Sequence, residues 1–378
     1  MYIGAIIGFT APLAMLWGVM LRQLIFAFSH FRFKQLMTPN KTIEELPSVS
    51  VCIPVRNEMH VMTECLESVT ASTYPKLEII VLDDRSEDTT STLVKAFARD
   101  GVRFVDGKKL PATWLGKNHA LQGLLDEASG RYVLFMDVDT RVQPDTIEQL
   151  VAYVQNENVD MVSVLPRRED GWRLSVIFSP LRYFWELMFH RRSAPATASN
   201  AWMIDRKVLV DEFGGFNDFK SAIQPETQLS ARLMPQNRYR FLIGSPELGV
   251  SYAKKWRSQV ETSIRLLFPL LGGSTGLVVL CLLGILILLV PFILLGQTPQ
   301  VGWTAFQTIA AVTIIAYLAL YGVYTAHIWR KGWWLGMVLW PVILLQEFIL
   351  LILSIERYAL NTVTWKGRPI AAPSQQKH

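Results

Sequence analysis

Arg131-Tyr132-Val133-Leu134-Phe135-Met136-Asp137-Val138-Asp139-Thr140 (RYVLFMDVDT, 131–140) is the stretch on which the fold turns. Tyr132 to Met136 is an unbroken apolar run with β-branched and aromatic content, and it stops abruptly at Asp137-Val138-Asp139. A short apolar run bounded in this way reads as a buried strand delivering two carboxylates to its C-terminal end. In open α/β sheets ligands bind outside that end of the strands. Carboxylates one residue apart on a curling tip reach a single hard cation, and Mg²⁺ characteristically fills its other positions with phosphate and water. The pair therefore suits a nucleotide diphosphate held through a metal. The plainer reading is a cap, by Asp139 or Thr140, on a helix beginning near Pro144.

The same alternation of strand and helix signals extends to both sides of this stretch. Upstream, Val49 to Val55 (VSVCIPV) reads as a strand followed by Arg56-Asn57-Glu58 and a helical pattern through Leu66 and Val69 to Ala71. Leu77 to Leu82 is a second buried strand ending in Asp83-Asp84, with a polar helix start at Ser86-Glu87-Asp88-Thr89-Thr90 and a helix to Ala98. Strand Val102 to Val105, helix Asn118 to Ala128, helix Pro144 to Val154 and strand Asp160 to Leu165 continue the pattern. Alternating β and α units joined by right-handed crossovers imply an α/β fold with a mostly parallel sheet. Two carboxylate pairs then lie at the same edge of one sheet, where Asp83 is placed to accept from a base or ribose unless it caps the helix that follows. No G-x-G-x-x-G follows a strand and no G-x-x-x-x-G-K-[ST] is present, so neither a dinucleotide fold nor a P-loop enzyme is indicated.

Charge is unevenly spread over the 378 residues, of which 18% are charged. Met1 to Phe28 contains one charged residue, Arg22, and Leu266 to Leu353 contains only Arg330, Lys331 and Glu347. Apolar stretches of about 20 residues are what a bilayer-spanning helix requires. Spans are expected at about Gly273 to Leu295, Trp303 to His327 and Trp333 to Leu353, besides an uncleaved N-terminal anchor over 1–28. Arg22, Arg32, Lys34 and Lys41 after the anchor place the middle of the chain in the cytoplasm by the positive-inside rule. The expected organisation is an anchor at 1–28, a cytoplasmic catalytic domain at 45–255, an interfacial helix with about three spans at 256–360, and a basic tail at 361–378. Four full crossings put Arg357, Lys366 and Arg368 on the far side, against their charge, unless the last segment breaks at Pro341 or the first anchor is shallow. Cys52, Cys65 and Cys281 give no disulfide framework and no zinc spacing. The net charge of +5 fits a surface facing anionic lipid, whereas nucleic acid is not expected as a partner for want of a basic-aromatic stripe.

Ile53-Pro54-Val55-Arg56-Asn57-Glu58, Asp83-Asp84-Arg85-Ser86-Glu87-Asp88-Thr89 and Asp137-Val138-Asp139 together resemble the three landmarks of family 2 glycosyltransferases with the GT-A fold. Trp114-Leu115-Gly116-Lys117-Asn118-His119-Ala120-Leu121 and the C-terminal Trp365-Lys366-Gly367-Arg368 are similar to segments of membrane-bound members, such as the diaponeurosporenoate and hopanoid-associated glycosyltransferases. The resemblance covers nearly the whole chain. It implies inverting transfer of a hexose from a nucleotide sugar, most often a UDP-sugar, to a lipid-soluble acceptor such as a carotenoid, terpenoid or glycerolipid. Carried over by position, Pro54, Asn57 and Glu58 line the nucleobase pocket, and Asp84 or its neighbour Asp83 contacts the nucleotide. Asp139 with Asp137 binds Mg²⁺ or Mn²⁺ and the diphosphate, and Lys117 lies near the pyrophosphate unless it is a solvated helix-start lysine.

The chain departs from the family where the base is expected. Inverting transfer to a hydroxyl needs a group that takes its proton, usually the Asp of an E-D pair after a G-G-F loop. Gly214-Gly215-Phe216 is present, but the later stretch reads Gln224-Pro225-Glu226-Thr227-Gln228-Leu229, with Glu226 at the aligned position. Glu226 is either the base or a glutamate on a helix surface, and an acceptor that is already a carboxylate or phosphate needs little base help at neutral pH. Trp172, Phe184, Trp185 and Phe189 among Arg173, Arg182, Arg191 and Arg192 suit an interfacial amphipathic segment over 171–192. Processive polysaccharide synthases carry Q-x-x-R-W near Gln259 and Arg265, but here the R-W is missing, which argues against a polymerase. A nucleotide-sugar-binding membrane protein that has lost catalysis is the rival from another class. A transporter is disfavoured because Glu347 is the single acidic residue within the apolar stretches.

Overall fold

The computed structural model describes residues 2–33, 43–169, 174–179, 181–296, 304–329, 331–366 and 368–369. Its strands are β1 (Val49–Val55), β2 (Leu77–Asp83), β3 (Val102–Asp106), β4 (Tyr132–Met136), β5 (Thr140–Val142), β6 (Met161–Leu165), β7 (Arg167–Arg168), β8 (Ala201–Asp205), β9 (Tyr239–Ile243), β10 (Val250–Tyr252), β11 (Thr364–Trp365) and β12 (Arg368–Pro369). In the first half of the chain the helices are α1 (Tyr2–His30), α2 (Met62–Thr70), α3 (Thr90–Ala96), α4 (Gly116–Glu127), α5 (Thr146–Glu157), α6 (Leu174–Ile177) and α7 (Arg182–Met188). In the second half they are α8 (Pro225–Leu233), α9 (Trp256–Leu270), α10 (Thr275–Gly296), α11 (Ala305–Ile328), α12 (Trp333–Val338) and α13 (Trp340–Ala359).

The main sheet has the order β3-β2-β1-β4-β8-β6-β9. The five strands read from the sequence lie in it with bounds shifted by a residue at most. They are parallel among themselves, as the crossover argument requires, but β8 runs antiparallel between β4 and β6. Ala201-Trp202-Met203-Ile204 was not expected as a strand, because its pairing partners are remote and its flanks carry no turn signature. A second small sheet, β5-β10-β7, lies just beyond the end of β4.

Apolar side chains from α2, α3 and α5 cover one face of the main sheet. The other face is covered by α4, the Phe213–Ala222 loop and α8, and this core continues without a break into α1, α7 and the C-terminal helices. Phe184 of α7 is buried among Tyr321, Tyr324 and Trp340, with ring centroids 5.2–5.5 Å away. The apolar face of the 171–192 segment, expected to lie on lipid, is therefore taken up by α11 and α13, while Phe189 points outward. Gly171, Trp172 and Arg173 of that segment lie outside the described residues.

Among the described residues, α10 and α11 are long and apolar enough to cross a membrane. The third expected C-terminal span is divided: α12 ends at Val338 and α13 restarts at Trp340, with Pro341 in its first turn. In α13, Glu347 is buried and accepts the Leu181 backbone N–H at 3.3 Å, so this lone carboxylate pins the start of α7. After α13 the chain returns to the sheet, and β11–β12 form a small hairpin there.

Candidate functional site

Three strand ends converge on one cleft. At the end of β1 the chain turns sharply, with Asn57 at φ 52°, a conformation that asparagine tolerates better than most residues. The Asn57 carboxamide oxygen accepts from the Glu87 N–H at 2.8 Å, and the Asn57 N–H donates to Ser86 Oγ at 2.9 Å. Asn57 thus ties the β1 turn to the loop after β2. Pro54 sits opposite Leu82 in the parallel register, and Glu58, half-buried, faces the same edge.

The two aspartates after β2 part company. Asp83 accepts from the Ser86 N–H at 3.1 Å and from the Ser86 and Ser91 hydroxyls, so its oxygens are spent within the loop. Asp84, 2% exposed, faces the cleft instead. Gly107 permits this packing, because a Cβ there would lie 2.6 Å from the Asp83 carbonyl oxygen and 2.9 Å from Asp84 Cα.

Beyond β4, Asp137 pairs with Lys117 Nζ at 2.8 Å and Asp139 with Lys254 Nζ at 3.2 Å. The antiparallel register of β5 on β10, Thr140 opposite Tyr252, delivers Lys254 to Asp139. Burial alone would pull the Lys117 ammonium down, but the charge of the hydrogen-bonded Asp137 carboxylate counters it and the pKa is held above its ordinary value. Asp139 Oδ1 is buried without a hydrogen-bond partner. The donor set, two carboxylates with one free oxygen, fits a hard divalent cation whose remaining positions are filled by phosphate and water. Among the described residues no three His, Cys, Asp or Glu side chains form a self-sufficient metal cage.

Glu226 stands in the first turn of α8, behind Pro225, and is 1% exposed. Neither carboxyl oxygen has a hydrogen-bond partner among the described residues, and burial raises its pKa against the opposing pull of Lys117. It is not a helix-surface residue. Its position is set from α4: the Asn118 amide donates to the carbonyls of Phe219 (2.6 Å), Lys220 (3.3 Å) and Ala222 (2.7 Å). On the same loop Phe216, after the left-handed Gly214 and Gly215, packs edge-on against Phe135 of β4 at 5.4 Å.

One cavity is lined by Lys117, Asn118, Asp137, Asn200, Gln224, Glu226 and four further basic residues, Arg182, Lys254, Arg265 and Arg368. These four were not recognised as site residues from sequence; they come from α7, the end of β10, α9 and β12. The β11–β12 hairpin closes the β1–β2 edge of the cleft. Arg368 Nη1 meets Asp84 Oδ2 at 2.5 Å, Lys366 Nζ meets Glu58 Oε1 at 2.6 Å, and Arg56 Nε donates to the Lys366 carbonyl at 3.2 Å. Burial raises both carboxyl groups, and their basic partners counter it. The described part of the tail therefore packs against the strand ends of the main sheet.

Residues 50–209 match the family model described as Glycosyl transferase family 2. The chain is 26% identical over 241 residues to the probable glycosyltransferase YdaM of Bacillus subtilis, a match covering 60% of this chain and 57% of that protein. It is 33% identical over 135 residues to the undecaprenyl-phosphate 4-deoxy-4-formamido-L-arabinose transferase of Serratia proteamaculans, covering 34% of this chain and 40% of that one. The chain thus spans about half the length of these relatives. Among solved structures, the mannosyltransferase PcManGT from Pyrobaculum calidifontis, in complex with GDP-Man and Mn²⁺, superposes with a TM-score of 0.54 over 93% of this chain and 98% of that one, at 18% identity. The mixed sheet and this superposition make the fold a GT-A-like α/β nucleotide-sugar transferase fold.

Proposed function

We propose that this chain, whose residues 50–209 match glycosyl transferase family 2, transfers a hexose from a nucleotide sugar to a membrane lipid with inversion at the anomeric carbon. The observation that carries the reading is that Lys117, Asp137, Lys254 and a buried, unpartnered Glu226 line one cavity at the end of β4, with Lys117 paired to Asp137 and Lys254 to Asp139. In this reading the donor lies across the ends of β1, β2 and β4. Asp84 and Glu58 accept from the base or ribose, Asn57 shapes that pocket together with Pro54, and Asp83 braces the loop behind it. Lys117 and Lys254 are the cations for the diphosphate, released from their carboxylates when the donor arrives. Mg²⁺ or Mn²⁺ held by Asp139 and Asp137 supplies Lewis-acid stabilisation of the leaving nucleoside diphosphate. Glu226 handles the acceptor: it takes the proton of a neutral hydroxyl and has none to take from an ionised one.

The lipid character of the acceptor is supported by α10 and α11, by exposed apolar side chains on α1 and α13, and by the undecaprenyl-phosphate transferase among the relatives. We read α1 as the N-terminal anchor and the sheet as facing the cytoplasm. The test is nucleotide release by the purified protein in lipid, with a panel of UDP- and GDP-sugars, Mn²⁺ or chelator, and a host lipid extract present or absent. Release that requires metal and extract and is lost in Asp139→Asn supports the reading. Metal-dependent nucleotide binding with no turnover from any donor overturns it in favour of a binding protein.

A further inference from the structure

The cavity holds more positive charge than a donor diphosphate accounts for. Of its five basic side chains, Lys117, Lys254 and Arg368 meet carboxylates at 2.8, 3.2 and 2.5 Å. The other two are held less directly. Arg182 forms a long ion pair with Glu186 at 3.9 Å and lies 4.3 Å over the Tyr183 ring. The Arg265 guanidinium has no hydrogen-bond or ion-pair partner among the described residues, and its Nε is buried. The Asp137 and Glu226 charges act on Arg265 without touching it, and a buried guanidinium with no direct partner is costly while its planar fork matches a carboxylate or phosphate.

The two arginines come from the helices that pack against α13 and α1. Arg265 is on α9, which packs along α13, with the Tyr358 hydroxyl donating to the Arg265 carbonyl at 2.7 Å. Arg182 opens α7, which packs against α1. Asp84 and Glu58, the carboxylates at the nucleotide edge, are held by the C-terminal hairpin instead. Resting on the transferase reading above, we propose that the acceptor presents an anionic oxygen, of a lipid phosphate or lipid carboxylate, to Arg265 and Arg182.

The chemistry of Glu226 agrees. An ionised carboxylate with no donor to either oxygen would repel an incoming anion, whereas its protonated form donates a hydrogen bond to one, and burial favours that form. The neighbour that the family's E-D pair would supply as a second acid is here Pro225, preceded by Gln224. In the transfer step the anionic oxygen attacks the anomeric carbon with its own electron pair. The bond from that carbon to the diphosphate breaks, its pair leaves on the nucleoside diphosphate, and no proton is moved. Burial also pulls the Arg265 pKa down to about 10, still cationic at neutral pH.

The experiment uses the full chain in lipid vesicles and pairs of acceptors sharing one hydrocarbon tail: a polyprenyl phosphate against the polyprenyl alcohol, and a terpenoid carboxylic acid against its alcohol. The wild type should favour the anionic member of at least one pair about 100-fold in kcat/KM, and whichever pair shows it names the source of the charge. Arg265→Gln should remove that preference chiefly through acceptor KM, and Arg265→Lys should restore part of it. An alcohol used as well as its acid, or an Arg265→Gln defect confined to donor KM, overturns the proposal. If Arg265→Gln does not fold, the wild-type acceptor ratio and Arg182→Gln decide. Transfer to alcohols alone defeats only this proposal, while no transfer to any acceptor defeats the transferase reading with it.

Discussion

At the scale of single residues, the position of Glu226 depends on a buried neighbour in another element. Asn118 spends its amide on three carbonyls of the loop leading to Glu226. Asn118→Ala leaves buried acceptors unmatched and should cost about 2 kcal/mol of stability, with kcat falling more than donor KM. Denaturant unfolding and steady-state kinetics on the same preparation check both halves. Glu186 offers a pH test. Burial raises its pKa to about 7, partly countered by Arg182 and the Thr197 N–H. A carboxyl raised on folding stabilises the fold below its unfolded pKa, near 4.5, and that contribution is lost as pH rises toward 7. Glu186→Gln should therefore lessen the fall in melting temperature between pH 5 and pH 8, by an amount equivalent to on the order of 2 kcal/mol. An unchanged pH slope would show that the burial is not maintained in solution.

At the scale of elements, legibility followed locality. β1, β2, β3, β4 and β6 were readable because each is a short apolar run with its own turn signals, and the carboxylates at their ends came with them. β8 was not, since Ala201–Asp205 becomes a strand only by pairing with β4 and β6. The same holds for the cations: Lys254 reaches Asp139 through the register of β5 on β10, and no spacing in the sequence announces that. The break between α12 and α13 was legible only as a possibility attached to Pro341. What closes it is Trp340, buried against Tyr321 at 4.3 Å, where the last helix turns onto α9 and α10. Trp340→Ala should open that corner and cost about 3–4 kcal/mol, visible as earlier proteolysis between α12 and α13.

At the scale of the whole molecule, the two ends of the site are joined by a very long detour. Asp84 and Arg368 are 284 residues apart in sequence and meet at 2.5 Å. A double-mutant cycle on Asp84→Asn and Arg368→Ala should give a coupling of about 1–3 kcal/mol in thermal unfolding, since either single change leaves a buried charge uncompensated. Additive effects would mean that the hairpin does not rest on the cleft in the free protein.

That hairpin also imposes an order of events on biogenesis. Lys366 and Arg368 are synthesised after α10 and α11, and in the membrane-spanning reading proposed above they meet Glu58 and Asp84 only if those two helices have both crossed and come back. In that reading a chain whose helical pair stalls halfway leaves its last strand away from the sheet and the β1–β2 edge of the cleft unfinished. On the proposed reading, the finished site is a record of completed insertion, because its last two cations arrive only with the end of the chain.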